Sequence, residues 1–455
     1  MKQIAKSILP VVLLATGING AWAAAGVEEA KQLGRTLTPW GAEVAGNADG
    51  SIPAYTGGLT TPPANWDPQN PNWRPDPFAS EKPLFRIDAS NYEKYKKRLT
   101  PGTEELIKKY PDTFFLDVYQ THRTAAYPKE WLDNSVRNAA TCQLSPDGLE
   151  LVSGKDCGGG LLFPIPKSGA ELIWNKMSSY IGSGIVKRGT KIEYVKPSGE
   201  VVTTADATIS FMRPLGDPNW SGRDMTYLNR TEYQGPTRLV GQTSLFFDDR
   251  AMKRTANSYV PSTRRVRLAP DFAADTPISA MGGAATYDDD MMFSGSLERY
   301  DWKLVGKEEV YLPYNNYRFT YPDPSGSCTV KSYLTPKHPK ADCTRWELHR
   351  VWHVQATLKE GARHVYAKRD FFFDEDALSA GLAENYDQSG KLYRFQTAAA
   401  IPMYDVKIPG FTELVNIDLS SGIYVVNRTD KGIAPFTFTP AMLVGESTAR
   451  HLLPK

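Results

Sequence analysis

Between Trp346 and Leu358 apolar and polar side chains alternate. The even positions are Trp346, Leu348, Arg350, Trp352, Val354, Ala356 and Leu358; the odd ones are Glu347, His349, His353, Gln355 and Thr357, with Val351 the apolar exception. A period of two belongs to a half-buried β-strand, because successive side chains point to opposite faces. The stretch that follows places Val365, Ala367, Arg369, Phe371 and Phe373 on odd positions. With Glu360 and Gly361 as a two-residue turn, both apolar sets share one face of a hairpin, and Trp352 lies opposite Arg369 and Arg350 opposite Phe371. From about Lys191 onward strand-like runs are separated by short turns at Pro197-Ser198-Gly199, Gln388-Ser389-Gly390 and Ser420-Ser421-Gly422, which favours an antiparallel sheet. No interval repeats, so a propeller or solenoid is not supported.

The N-terminal part has no period at all. From Leu37 to Leu59 glycines and prolines recur (Pro39, Gly41, Gly46, Gly50, Pro53, Gly57, Gly58), fixing turns along an arm that needs a body to lie on. Thr61 to Pro83 reads as an extended wrapping loop. Capping-type starts at Ser90-Asn91-Tyr92-Glu93, Thr100-Pro101 and Ser168-Gly169-Ala170-Glu171 predict three short helices, the second closed by Pro111.

Lys2 and Lys6 precede an apolar run from Ile8 to Ile18, and Ala21-Trp22-Ala23 has the form of a cleavage tripeptide, so residues 1–23 read as a secretory signal. That run is short of the ~20 residues that span a bilayer. In an oxidising compartment Cys142 with Cys157 and Cys328 with Cys343 read as two local disulfides; a thiolate metal site lacks its usual short spacing. The net charge of +2, with no basic tail, leaves no footprint for nucleic acid.

The arm, Pro164-Ile165-Pro166-Lys167-Ser168-Gly169-Ala170-Glu171, Arg264-Arg265-Val266-Arg267-Leu268-Ala269-Pro270, Arg369-Asp370-Phe371-Phe372-Phe373-Asp374-Glu375-Asp376 and Tyr386-Asp387-Gln388-Ser389-Gly390-Lys391-Leu392 carry a resemblance. The chain resembles a proteobacterial domain-of-unknown-function family of LolB-like, outer-membrane lipoprotein-sorting-like periplasmic proteins. The resemblance implies an α+β fold: a strongly curved antiparallel sheet, an incomplete barrel of the LolA/LolB carrier type, covered by helices. It brings no catalytic residues. The expected organisation is a signal peptide at 1–23, the arm and wrapping loop at 24–89, and one carrier-type domain at 90–455.

On the hairpin's apolar face the two arginines need a counter-ion, an aromatic partner or water. Two readings are open: Arg350 and Arg369 meet the anionic head of a greasy ligand in a cavity lined by Trp346, Leu348, Trp352, Phe371 and Phe373, or they pair with the protein's own carboxylates and rings. His349, His353 and His364 fall on the polar face, too far apart for a shared metal, and read as solvated. The Arg264-Arg265-Val266-Arg267 run touches phosphate head groups, or is solvated or paired with Asp288-Asp289-Asp290; the acidic run lacks the EF-hand pattern. Neither a G-x-S-x-G elbow, a P-loop, a G-x-G-x-x-G nor an H-E-x-x-H is present, and His122, His338 and His451 are unassigned.

The sequence thus points to a periplasmic protein, free or associated with the outer membrane, that binds lipids or other hydrophobic compounds, uses no cofactor and is not an enzyme. Its expected partners are an inner-membrane exporter or an outer-membrane protein. A lipid-sensing regulator of an envelope-stress pathway and a hydrolase of hydrophobic esters are the alternatives.

Overall fold

A computed structural model describes residues 26–438 apart from 155, 220–224, 269–273, 279–280 and 322–325. The expected signal segment 1–23 and His451 lie outside the described residues. The strands are β1 (Phe85–Ile87), β2 (Leu116–Val118), β3 (Ile185–Val195), β4 (Val201–Met212), β5 (Met225–Gly235), β6 (Thr243–Asp249), β7 (Arg254–Val260), β8 (Arg265–Leu268), β9 (Tyr300–Pro313), β10 (Arg345–Leu358), β11 (Lys368–Asp374), β12 (Gly381–Tyr386), β13 (Leu392–Ala400), β14 (Phe411–Asp418), β15 (Tyr424–Thr429) and β16 (Ile433–Pro435). The helices are α1 (Val27–Ala30), α2 (Pro101–Lys109), α3 (Lys129–Thr141), α4 (Gly169–Met177), α5 (Tyr317–Thr320) and α6 (Val330–Tyr333).

The strands build one sheet in the order β9-β10-β11-β12-β13-β14-β15-β3-β4-β5-β6-β7-β8, antiparallel at every step. β1 and β2 attach at the start of β10, the latter in parallel, and β16 at the start of β3. The sheet is strongly curled: β9 comes back against β12 and β13, and Tyr314 bridges to Ala400. Its end strands, β8 and β9, do not pair with each other among the described residues, so the barrel stays open.

The hairpin forms with the expected shared face but in another register. Trp352 lies opposite Phe373, Val354 opposite Phe371 and Ala356 opposite Arg369. The two-residue turn at Glu360-Gly361 is replaced by a connection that closes only where Leu358 N–H donates to Ala367 O. The extra length has a cause: His364 and Tyr366 leave the turn and bury their rings in the interior, where Tyr366 Oη donates to Asp289 at 2.7 Å.

Both faces of the β10 to β15 half are covered. On the face of Phe371 lies α4, whose N-cap Ser168 accepts from Glu171 N–H as the sequence implies, and whose Leu172, Ile173 and Trp174 are fully buried. Gly169 fits because a Cβ there would come within 2.8 Å of the Trp302 backbone. On the other face lies α2, where Gly102 N–H donates to Glu384 Oε1 at 2.6 Å and leaves no room for a Cβ beside Phe395. Leu106, Ile107, Phe114, Phe395, Ile417 and Tyr424 form the core on that side.

Residues 281–299, which lead into β9, run inside the curl. Met281, Ala284 and Ala285 pack on Ile192, Ala205 and Val425, and Met291, Met292, Phe293 and Leu297 join the cluster of Val354, Phe371 and Phe373. Arg369 of β11 holds this segment from one side, and Arg254 of β7, far along the sheet, holds it from the other through Ser294. The N-terminal arm lies on the body as its glycines imply. Trp40 is buried against Tyr55 and Tyr127, and the wrapping loop sends Arg74 into a bidentate pair with Asp405. Both disulfides, Cys142 with Cys157 and Cys328 with Cys343, are formed.

Gly41 is at φ +89°, and a Cβ there would stand 1.7 Å from the backbone oxygen of Pro164, whereas Gly50, at φ +74°, faces open space. Gly41→Ala is therefore expected to cost well over the ~1 kcal/mol that strain alone takes from Gly50→Ala, because backbone must move. Urea titration of the two variants checks this; equal losses would mean that the arm is not seated on Pro164.

A candidate ligand-binding interior

Arg369 is the centre of the inner face. β11 places its guanidinium in the same row as Asn385 and Arg394, on the face of Phe371. It donates to Asp288 Oδ2 and Asp289 Oδ1 at 2.7 Å each and to Asn385 Oδ1 at 2.8 Å, with the rings of Phe371 and Tyr366 alongside. Burial pushes the Asp288 carboxyl up, but the Arg369 charge and His364 outweigh it and hold it at about 2. Arg350 points elsewhere: it donates to Glu375 Oε1 at 3.1 Å and to the arm's Ala45 O at 2.7 Å.

The residues expected to line one cavity are thus divided. Phe371 and Phe373 are fully buried against Val354 and Phe293, and Trp352 is half-buried under the Lys307 ammonium. Trp346 and Leu348 pack in the other core, with Phe114 and Phe395. The expected hollow over the hairpin is filled by the protein's own atoms, because α4 and residues 281–299 lie on it. Both arginines pair with carboxylates here, and the Arg264 run stays exposed on β8 while Asp288 and Asp289 turn inward.

The histidines correct a second expectation, since the odd face of β10 meets the second layer instead of water. His349 is fully buried, His364 is buried 3.1 Å from Asp288, and His353 is bonded to Glu308 and Asp370. His349 stacks on Tyr314 with Nδ1 3.3 Å from Asp374 and Nε2 3.4 Å from Glu347. Burial opposes its charge, but the hydrogen bonds and charges of Asp374 and Glu347 raise it to about 9. Asp374 and Asp376 stand within metal-ligand spacing of His349. Arg123 already takes Asp376 in a bidentate pair, and Tyr314 and the Ala377 N–H take Asp374 Oδ2, which leaves Asp374 Oδ1 to face the His349 ring. His122 bonds Glu81, His338 bonds Thr113, and no serine hydroxyl bonds a histidine among the described residues.

Two openings among the described residues bear on binding. A small apolar cavity of about 40 Å³ lies between α2 and the sheet, lined by Leu106, Phe114, Trp346, Phe395 and Ile417. That is room for a few waters, not for a chain. A groove of about 640 Å³ opens between β7 and residues 294–299. Met252 and Ala256, both buried members of the inner core, form its floor, and Lys253, Arg254 and Arg299 stand along it.

The fold is a large, strongly curled and mostly antiparallel sheet, left open among the described residues, with few helices and a segment of the chain enclosed within it. The chain belongs to the family of proteins of unknown function DUF1329, whose model matches residues 86–445. An uncharacterized protein of Pseudomonas aeruginosa, PA3922, is 41% identical over 424 residues, covering 92% of this chain and 90% of that protein. Among solved structures, a DUF1329 family protein from Desulfovibrio piger is similar at 13% identity and a TM-score of 0.40, over 61% of this chain and 97% of that one. A LolA superfamily protein from Nitrosomonas europaea is similar at 12% identity and a TM-score of 0.34, over 62% and 96%.

A raised histidine stabilises the fold in its charged form. The contribution of His349 is full below pH ~6.5, its unfolded value, and is lost as pH rises through about 9. Relative to His349→Asn, wild type is expected to lose stability, on the order of a few kcal/mol, between those limits. Denaturation of both proteins from pH 6 to 10 reads this directly; parallel curves would show that folding does not raise the His349 pKa.

Proposed function

We propose that this chain is a periplasmic carrier of lipids or other hydrophobic compounds, and that the groove beside β7 is the way into its curled interior. The observation that carries the reading is the floor of that groove: an opening of about 640 Å³ is bottomed by Met252 and Ala256, residues of the main core, so surface and interior are continuous there. Its size is in the range of small-molecule sites, and apolar area taken from water there contributes about 25 cal/mol per Å². Two formed disulfides suit an oxidising compartment, and among the described residues no helix is long and apolar enough to cross a membrane. The absence of a serine–histidine pair or free thiol among the described residues favours binding over ester cleavage. An inner-membrane exporter or an outer-membrane protein would supply or accept the cargo.

Protein purified from periplasm is expected to carry an organic compound near one to one, detected by extraction and mass spectrometry. Ala256→Trp, which fills the groove, is expected to lower uptake of a fluorescent fatty acid about tenfold or more. An empty wild-type protein that also takes up no probe would end the carrier reading.

A further inference from the structure

We propose that residues 288–293 occupy the binding site of an anionic, single-tailed amphiphile and are displaced when it binds. This deepens the carrier reading and rests on it.

The order of the segment is that of such a ligand. Asp288 and Asp289 put their carboxylates on Arg369, with His364 and Tyr366 beside them. Met291, Met292 and Phe293 follow and lie in the apolar cluster, Phe293 against Phe371 and Trp302. A charged head and a greasy tail thus stand in sequence on the inner face.

The segment is also held there at a cost. Between Gly282 and Arg299 the 3-10 turn Tyr287–Asp289 is the one regular helix or strand, and irregular stretches of this length inside a domain are uncommon unless they serve a function. Met291 and Met292 have φ of 51° and 72°, a left-handed conformation that costs unbranched side chains of the order of 1 kcal/mol or more each.

The surrounding charges call for another anion. Lys176 is fully buried and, among the described residues, its Nζ, with three donors, reaches only Phe293 O, at 2.6 Å. Arg213, also buried, donates to Lys176 O, Ser179 Oγ and Met291 Sδ. Neither makes a salt bridge among the described residues, although both feel the charge of Asp290. Buried cations this poorly paired are expensive unless an anion joins them. Lys176 and Arg213 meet the segment at Phe293 and Met291 and Arg369 meets it at Asp288 and Asp289, and Lys176 feels the charges of both arginines, so the three cations border the space that the segment fills. Ser294 and Gly295, just beyond, line the groove, which gives the ligand its approach.

The test is hydrogen exchange on the full mature protein, alone and with oleate, lysophosphatidate or neutral mono-olein. Oleate or lysophosphatidate is expected to strip protection from amides 281–299 while β10 to β12 stay protected; whichever acts at lower concentration identifies a carboxylate or a phosphate head. Lys176→Met removes a poorly paired buried charge and should fold; it is expected to weaken the effective anion about tenfold and to leave mono-olein unchanged. Binding of an anion with 281–299 still protected would overturn the displacement while sparing the carrier reading. Equal action of mono-olein would overturn the anionic head, and failure of all three probes to bind would overturn this inference, while the carrier reading falls only if the purified protein also carries no compound.

Discussion

A buried guanidinium on an apolar strand face decides how this interior is arranged. Arg369 sits between Phe371 and Tyr366 with no solvent exposure, and a charge so placed must be met by opposite charge from another part of the chain. The answering carboxylates, Asp288 and Asp289, are on the connection into β9. Their pairing keeps that connection inside the curl instead of over its surface. Loss of either side would leave an uncompensated buried charge, which costs about 3–5 kcal/mol, although the intact pair adds less than that to stability. The pair therefore acts mainly by selecting one arrangement of the chain.

A second charged centre works in the opposite sense. Asp374, Glu375 and Asp376 are fixed at the end of β11, and the cations come to them: Arg123 on Glu375 and Asp376, Arg350 and Lys307 on Glu375. The arm closes this centre from outside, since Glu43 pairs with Lys307 and Ala45 accepts from Arg350. One end of β11 thus anchors the internal segment, and the other the external arm. The seven residues between Lys368 and Asp374 link the two.

Local chemistry was legible where it depends on neighbours in sequence. The parity of the hairpin, the Ser168 cap, the path-setting glycines of the arm and the two disulfides all follow from short-range rules, and all are present. The register was not legible, because it depends on where His364 and Tyr366 go, and their partners Asp288 and Asp289 are far away in sequence. The same holds for the histidines of β10: alternation says that His349 and Val351 share a face, but not that this face is covered. Helix α3 was missed because Pro128 precedes it without a side-chain cap. The internal segment has no period that would mark it as core. Its signal was the neighbourhood of Asp288-Asp289-Asp290 and Met291-Met292-Phe293, an acidic run abutting an apolar one.

A filled interior and a carrier function are compatible on physical grounds. An apolar hollow left empty loses the contacts its walls would make, and a polar one fills with water that a ligand must displace. A segment of the chain in that space keeps the walls packed and Arg369 paired while no cargo is present. On the carrier reading it would also compete with cargo, and the apparent affinity would be the intrinsic one reduced by the fraction of molecules in which the segment has left. Strain at Met291 and Met292 and the Lys176 and Arg213 charges without a salt bridge among the described residues would raise that fraction, whereas the Asp288 and Asp289 pairs would lower it. Uptake and release would then be set by a small difference between two large terms, which a partner protein could tip either way by touching the segment where it borders the groove.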